Sequence, residues 1–287
     1  MIGQTTILNK FQRLIDENSL PQFVIIEGEV GSGKKCIIKE ISKMLKSKGI
    51  EVVYSDDNSV QSVREMIQNA YTVKDKCYVF LDIDGMSLAG KNALLKVTEE
   101  PPTRCYFIMT VEDMNNILST LKSRATTFEM GRYSVNELTA YIKDIRPNIS
   151  EEEKDILTSI CSTPGEINEV LSAGTQDFID YVNLVIDNIV DVSEANAFKV
   201  PSKVSLKTDA EGYDLRLFWK VFNHECIKRS IKNLVAKEKD AMENVNRYVD
   251  WVHITSKYLK QLSVKGINKT MLIDNWILDI REAADEC

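Results

Sequence analysis

The chain has 287 residues, of which 44% are hydrophobic and 28% charged, the composition of a soluble globular protein of about two or three domains. Its apolar stretches run only a few residues, too short for a bilayer-spanning helix, and Lys10, Arg13, Asp16 and Glu17 leave the N-terminal stretch without the apolar core of a signal peptide. A net charge of −7 argues against wrapping nucleic acid with the whole surface but is compatible with a local basic patch.

The first periodic segment is a helix over 5–18, with Ile7, Leu8, Phe11, Leu14 and Ile15 on one face. A short strand at 23–27 and a helix at 33–47 follow. Glu51–Tyr54 reads as a strand. Val60, Val63, Ile67 and Tyr71 predict a helix after the capping cluster Asp56-Asp57-Asn58-Ser59. Cys77–Leu81 is the next strand, and Leu88–Glu99 a helix stopped by Pro101 and Pro102. A strand at Cys105–Met109, a helix at 115–122 and a strand at Thr126–Met130 complete the series. Strands alternating with helices predict a parallel sheet covered on both faces.

After Gly131 every periodic stretch is helical: 134–144, 150–161, 166–173, 176–191, and three or more helices between about 212 and 284. The mixed segment 192–211 reads as a loop or linker. The expected organisation is therefore an α/β domain over 1–133, a small helical domain over 134–175 and an all-helical C-terminal domain over 176–287. Phe218, Trp219, Phe222, Trp251, Tyr258 and Trp276 fall on the last helices, mostly as core, with subunit interfaces the other setting that favours such aromatics.

The six cysteines stand at 36, 77, 105, 161, 226 and 287, with no C-x-x-C and no histidine at ligand spacing from a cysteine pair. No zinc site is expected, and reduced thiols in a cytoplasmic compartment fit this usage. The two histidines, His224 and His253, lie far along the chain from the motifs below and read as surface or packed residues.

Gly28-Glu-Val-Gly31-Ser32-Gly33-Lys34-Lys35 carries the chemistry. It follows the phosphate-binding pattern G-x-x-x-x-G-K-[ST] except at its last position. The glycines let backbone N–H groups curl around phosphate oxygens, the lysine neutralises the outer phosphates, and the final hydroxyl holds Mg²⁺. Lys35 replaces that hydroxyl, and a charged lysine has no lone pair for a metal. The loop lies between a strand and a helix, as a phosphate cradle must. A glycine-rich turn that binds nothing would share this local sequence.

Two further stretches narrow the class. Asn92-Ala-Leu-Leu-Lys-Val-Thr-Glu-Glu-Pro-Pro102 and Ile117-Leu-Ser-Thr-Leu-Lys-Ser-Arg124-Ala resemble the NALLKxxEEPP and Ser-Arg-Cys motifs of AAA+ sliding-clamp loader subunits of the bacterial delta-prime/gamma type. Ile2-Gly3-Gln4 resembles the family's opening Gly-Gln, and Asn58-Ser-Val-Gln-Ser-Val-Arg64-Glu-Met its Ile-Arg-Glu-Leu helix start. The resemblance covers residues 1–175 motif by motif. It implies an AAA+ P-loop module, a helical lid and a helical oligomerisation collar. No cysteine lies between Cys36 and Cys77, so the zinc module of many delta-prime proteins is absent.

The departures from the family pattern bear on activity. Counting back from Asn92, the two metal-and-water acids of active members fall on Leu81 and Asp82, so one is missing unless Asp84 substitutes. The sensor-2 arginine position, in Gly165-Glu-Ile-Asn168, holds Asn168. With Lys35, three parts of the hydrolytic apparatus are altered, and phosphoryl transfer depends on positioned charge and metal. Thr110 matches sensor 1. Arg124 matches the arginine that reaches a neighbour's γ-phosphate.

The resemblance thus implies a non-hydrolysing clamp-loader subunit with an arginine finger. ATP or ADP would sit on Gly28, Gly31, Ser32, Gly33, Lys34, Lys35, Asp82 and Thr110, with little or no dependence on Mg²⁺. Its partners would be other loader subunits, the sliding clamp and primer-template DNA, with Ser59, Arg64 and Lys91 facing the duplex and no membrane involved. Two other readings share the fold: an ATP-hydrolysing subunit with atypical motifs, and an AAA+-derived adaptor outside replication. Lys35, Leu81 and Asn168 oppose the former, and no extra effector domain favours the latter.

Overall fold

The computed structural model describes residues 3–55, 57–190, 204–205, 213–236, 241–262 and 267–285. The chain divides into two compact units, residues 1–145 with 163–165, and residues 146–162 with 166–287.

The first unit runs α1 (Thr5–Asp16), β1 (Phe23–Glu27), α2 (Lys34–Ser47), β2 (Glu51–Tyr54), α3 (Val60–Thr72), β3 (Lys76–Phe80), α4 (Leu88–Glu99), β4 (Cys105–Val111), α5 (Ser119–Lys122), β5 (Thr126–Glu129) and α6 (Val135–Ile145). All five strands pair in parallel, in the order β2-β3-β4-β1-β5. Strand alternation splits the core between the two faces. Phe23 and Ile25 point into a cluster with Val63, Met66, Leu94, Val97 and Leu121 from α3, α4 and α5. Val24 and Ile26 point into the other, with Ile7, Phe11, Ile37, Ile38 and Ile41 from α1 and α2. Helices on both faces explain why β1, β3 and β4 read as near-continuous apolar runs.

One expected helix is broken. Residues 114–122 form a 3-10 turn at Met114–Asn116, an extended Ile117, and only one helical turn, α5. The Asp113 carboxylate accepts from the Asn115 N–H at 2.8 Å and starts the turn. Ile117 and Leu121 are both buried, so their four-residue spacing reports a shared core and not a continuous helix.

The second unit contains α7 (Glu151–Ile160), most of α8 (Pro164–Ala173), α9 (Thr175–Asn188), α10 (Leu215–Ala236), α11 (Ala241–Gln261) and α12 (Lys269–Asp285). A two-residue parallel bridge joins Val204–Ser205 to Tyr213–Asp214. The rest of the expected 192–211 linker lies outside the described residues. Phe218, Trp219, Phe222, Trp251, Tyr258 and Trp276 are all buried. The indoles of Trp276 and Trp251 donate to Thr255 Oγ1 and to the Ile280 carbonyl. These aromatics are the core of this unit, which leaves none of the six exposed as an interface anchor.

Candidate nucleotide-binding site

The glycine loop leaves the end of β1 and enters α2. Gly31 and Gly33 have φ values of 76° and 91°, in the left-handed region that glycine adopts without a Cβ clash. Gly28 is needed for close approach, since a Cβ there would meet Ser32 Oγ at 2.8 Å and Met130 Sδ at 2.9 Å.

Lys34 is the first residue of α2 and only 8% exposed. Its ammonium donates to the Gly28 carbonyl at 2.7 Å and the Glu29 carbonyl at 3.2 Å. Asp82 Oδ1 lies 3.9 Å away. That carboxylate is half exposed, so the ion pair adds little stability and chiefly orients the two groups.

Asp82 adopts a left-handed conformation, φ 51°, just beyond β3. Thr110, fully buried on β4, fixes it there. Its hydroxyl accepts from the Asp82 N–H at 2.8 Å and donates to Asp82 Oδ1 at 3.3 Å. The Asn58 side chain, ahead of α3, donates to the carbonyls of Leu81 and Asp82. The structure therefore brings together the P-loop lysine, one acid and the sensor-1 threonine.

The other acid position does not converge. Leu81 packs against the core face that carries α1 and α2. Asp84 cannot take its place in this conformation, because its carboxylate accepts from the N–H groups of Glu112 and Asp113 at 2.7 and 3.2 Å. It ties the β4 exit to the β3 exit.

Lys91 requires a correction. It was expected to face nucleic-acid phosphates, but it is 6% exposed, and its ammonium donates to the carbonyls of Asn116 at 2.7 Å and Asp84 at 3.3 Å. A buried ammonium with two carbonyl acceptors is a structural tie. Ser59 caps α3, accepting from the Ser62 N–H at 3.2 Å. Bonds from Ser59 to the neighbouring Asp57 hold that carboxyl below the usual range. Arg64 is exposed on α3.

Arg124 follows α5 and is exposed. One guanidinium nitrogen donates to the Thr120 carbonyl at 3.0 Å, and another lies 3.6 Å from Glu99 Oε1. Both are weak holds on a solvated side chain.

Further groups, of which the sequence did not single out Tyr133, Thr163 and Glu27, support the loop and the strand ends around it. The Tyr133 hydroxyl donates to the Ser32 carbonyl at 2.8 Å, and burial raises its pKa, so it is a neutral donor at neutral pH. Thr163 Oγ1 donates to the Val30 carbonyl at 3.3 Å, and the Gly165 N–H to the Gly31 carbonyl at 3.0 Å. Glu27, the last residue of β1, accepts from the Met114 N–H. The Gln4 side chain makes a two-way pair with the Gly131 backbone beyond β5.

These residues fit the phosphates of a nucleotide. The loop's carbonyls have protein donors, and α2 begins at the loop, where a helix N-terminus favours an anion. They do not fit a Mg²⁺ site of the usual P-loop kind, because the hydroxyl position holds the exposed Lys35 and one acid position the apolar Leu81, which offers no oxygen. Among the described residues, no three His, Cys, Asp or Glu side chains cluster as metal ligands, and no helix is long and apolar enough to cross a membrane.

Comparison with known proteins places these features in context. A family model described as DNA polymerase III, delta subunit, matches residues 48–134. The gamma/tau subunit of DNA polymerase III from Mycoplasma genitalium is 25% identical over 201 residues, covering 60% of this chain and 34% of that protein. The gamma subunit from Buchnera aphidicola subsp. Acyrthosiphon pisum is 29% identical over 146 residues, 48% of this chain and 40% of that one. Human replication factor C subunit 5 is 25% identical over 188 residues, 60% of this chain and 54% of that protein. The chain thus spans about a third to a half of the length of these relatives. Among solved structures, a RuvB variant from Thermotoga maritima superposes with a TM-score of 0.50 at 15% identity, covering 80% of this chain and 76% of that one, a likeness of fold.

Proposed function

We propose that this chain, an AAA+ clamp-loader-like protein by its fold and relatives, is a non-hydrolysing subunit of a replicative clamp loader. In this reading it offers Arg124 to the ATP site of a neighbouring subunit. Its partners are the other loader subunits, the sliding clamp and primer-template DNA, in the cytoplasm. Ser59 and Arg64, at the start of α3, are the remaining candidates for phosphate contacts, because helix starts and single basic side chains suit them.

One observation carries the reading. The loop keeps its cradle and lysine, while the groups that would place Mg²⁺ and the attacking water are replaced by an exposed lysine and a partly buried leucine packed against the core. Positioned charge supplies most of the catalysis in phosphoryl transfer, so a chain without it contributes to a neighbour's site or not at all. The exposed Arg124 suits the first alternative.

Steady-state hydrolysis by the isolated chain tests this. No turnover above background is expected, with or without DNA. Turnover at an ordinary loader-ATPase rate, abolished by Lys34→Ala, would overturn the non-hydrolysing assignment.

A further inference from the structure

Six consecutive P-loop carbonyls, from Gly28 to Gly33, each accept a hydrogen bond inside the first unit. The Gly28 and Glu29 carbonyls accept from Lys34 Nζ. The Gly33 carbonyl accepts from the Cys36 and Ile37 N–H groups of α2. The middle three have donors distant in sequence: Thr163 Oγ1 to Val30, the Gly165 N–H to Gly31, and the Tyr133 hydroxyl to Ser32.

Gly165 also touches the loop directly. A Cβ at this position would lie 2.3 Å from Gly31 Cα and 3.1 Å from its carbonyl oxygen. Gly165 is the second residue of α8 and has no positive φ. Its backbone conformation therefore does not require glycine. The close approach does.

We propose that Tyr133, Thr163 and Gly165 form a three-point latch that fixes the phosphate cradle from behind. The latch holds the loop's shape whether or not phosphate is bound, leaving the N–H side preorganised for an anion. This inference does not depend on the chain's place in any assembly.

The Gly165 amide provides the test. First-turn N–H groups have no acceptor in their own helix, so protection of this amide from exchange reports its bond to Gly31. The measurement is NMR-detected hydrogen exchange on the full nucleotide-free chain, in EDTA, repeated with ATP. The Gly165 amide is expected to exchange about tenfold or more slower than an ordinary first-turn amide such as that of Glu152 in α7. ATP is expected to change this less than about twofold. Tyr133→Phe should cut the protection several-fold by freeing the Ser32 carbonyl, and Gly165→Ala should abolish it at the substituted residue. Gly165→Ala displaces backbone, and if that variant does not fold, Tyr133→Phe carries the test alone. Exchange at Gly165 as fast as at Glu152, protection that appears only with ATP, or a Tyr133→Phe chain indistinguishable from wild type would overturn the latch.

Discussion

Lys34 should stabilise the chain with no nucleotide present. Its ammonium is buried and donates to two loop carbonyls, and Gly28, which supplies one of them, is itself buried. Replacing Lys34 with alanine removes two charge-assisted bonds and leaves the Gly28 carbonyl unsatisfied. Hydrogen bonds to charged groups contribute about 1.5–3 kcal/mol, and recovered hydration of the lost ammonium offsets part of the two. A net loss of about 2 kcal/mol results. For a domain of this size that lowers Tm by roughly 4–8 °C. The control is Lys35→Ala, an exposed position next door, expected to stay within about 0.5 kcal/mol of wild type. Thermal unfolding of both variants in EDTA, after enzymatic removal of nucleotide, makes the comparison. Equal melting of the two variants would refute the strut and restore Lys34 to a pure phosphate ligand.

Four further outcomes are expected. ATP affinity measured by calorimetry should differ little with and without EDTA, and strong Mg²⁺ dependence would mean that Asp82 recruits the ion by another route. Arg124→Ala should leave melting and assembly unchanged but lower DNA-stimulated hydrolysis in reconstituted loaders, where a finger acting in trans is worth on the order of 10³–10⁵ at the site it serves. Lys91→Ala should destabilise the first unit by about 2–3 kcal/mol, since it strips two carbonyls of a buried donor, and should do so equally with and without DNA. Partial desolvation of the Glu169 carboxylate, followed by the charge of Asp214, raises its pKa, and because the side chain is exposed, solvent screening keeps the stability effect small. A folded pKa above the unfolded one means that the ionised group costs stability at neutral pH and that the cost disappears as pH falls through the folded pKa. Glu169→Gln should therefore raise stability at pH 7 and lose that advantage near pH 4, as urea titrations at the two pH values would show.

The sheet was legible because its central strands β1, β3 and β4 are apolar runs buried on both faces, and the loop because its glycines have positions that few other residues can occupy. What could not be read was hydrogen bonding between distant segments. Tyr133 and Thr163 donate to loop carbonyls 101 and 133 positions away, and neither lies in a pattern that a local window detects. Lys91 was misread for a related reason. A lysine in the first turns of a helix usually faces solvent, but the carbonyls of Asp84 and Asn116 converge on this one from two loops. Leu81, at the position read as a missing acid, is partly buried and packs against the core.

The motif positions that match the family and those that depart from it divide along a physical line. Lys34 supports two carbonyls, Thr110 fixes Asp82, Lys91 bridges two loops, and Gln4 pairs with Gly131. Each is part of the fold, so replacing it costs stability whether or not ATP is hydrolysed. Lys35 and Asn168, which depart from the pattern, are exposed, and Leu81 adds apolar contact where an acid would add none. A chain released from hydrolysis but still required to fold would diverge in this way. Arg124 does not follow the division. It matches the family, yet its side chain is exposed, and its only described holds are a backbone carbonyl and a carboxylate at 3.6 Å, which a fold does not need. On the proposed reading an arginine so loosely held by its own chain serves a site on a neighbouring subunit, which is why the Arg124→Ala loader, and not the isolated subunit, is the decisive preparation.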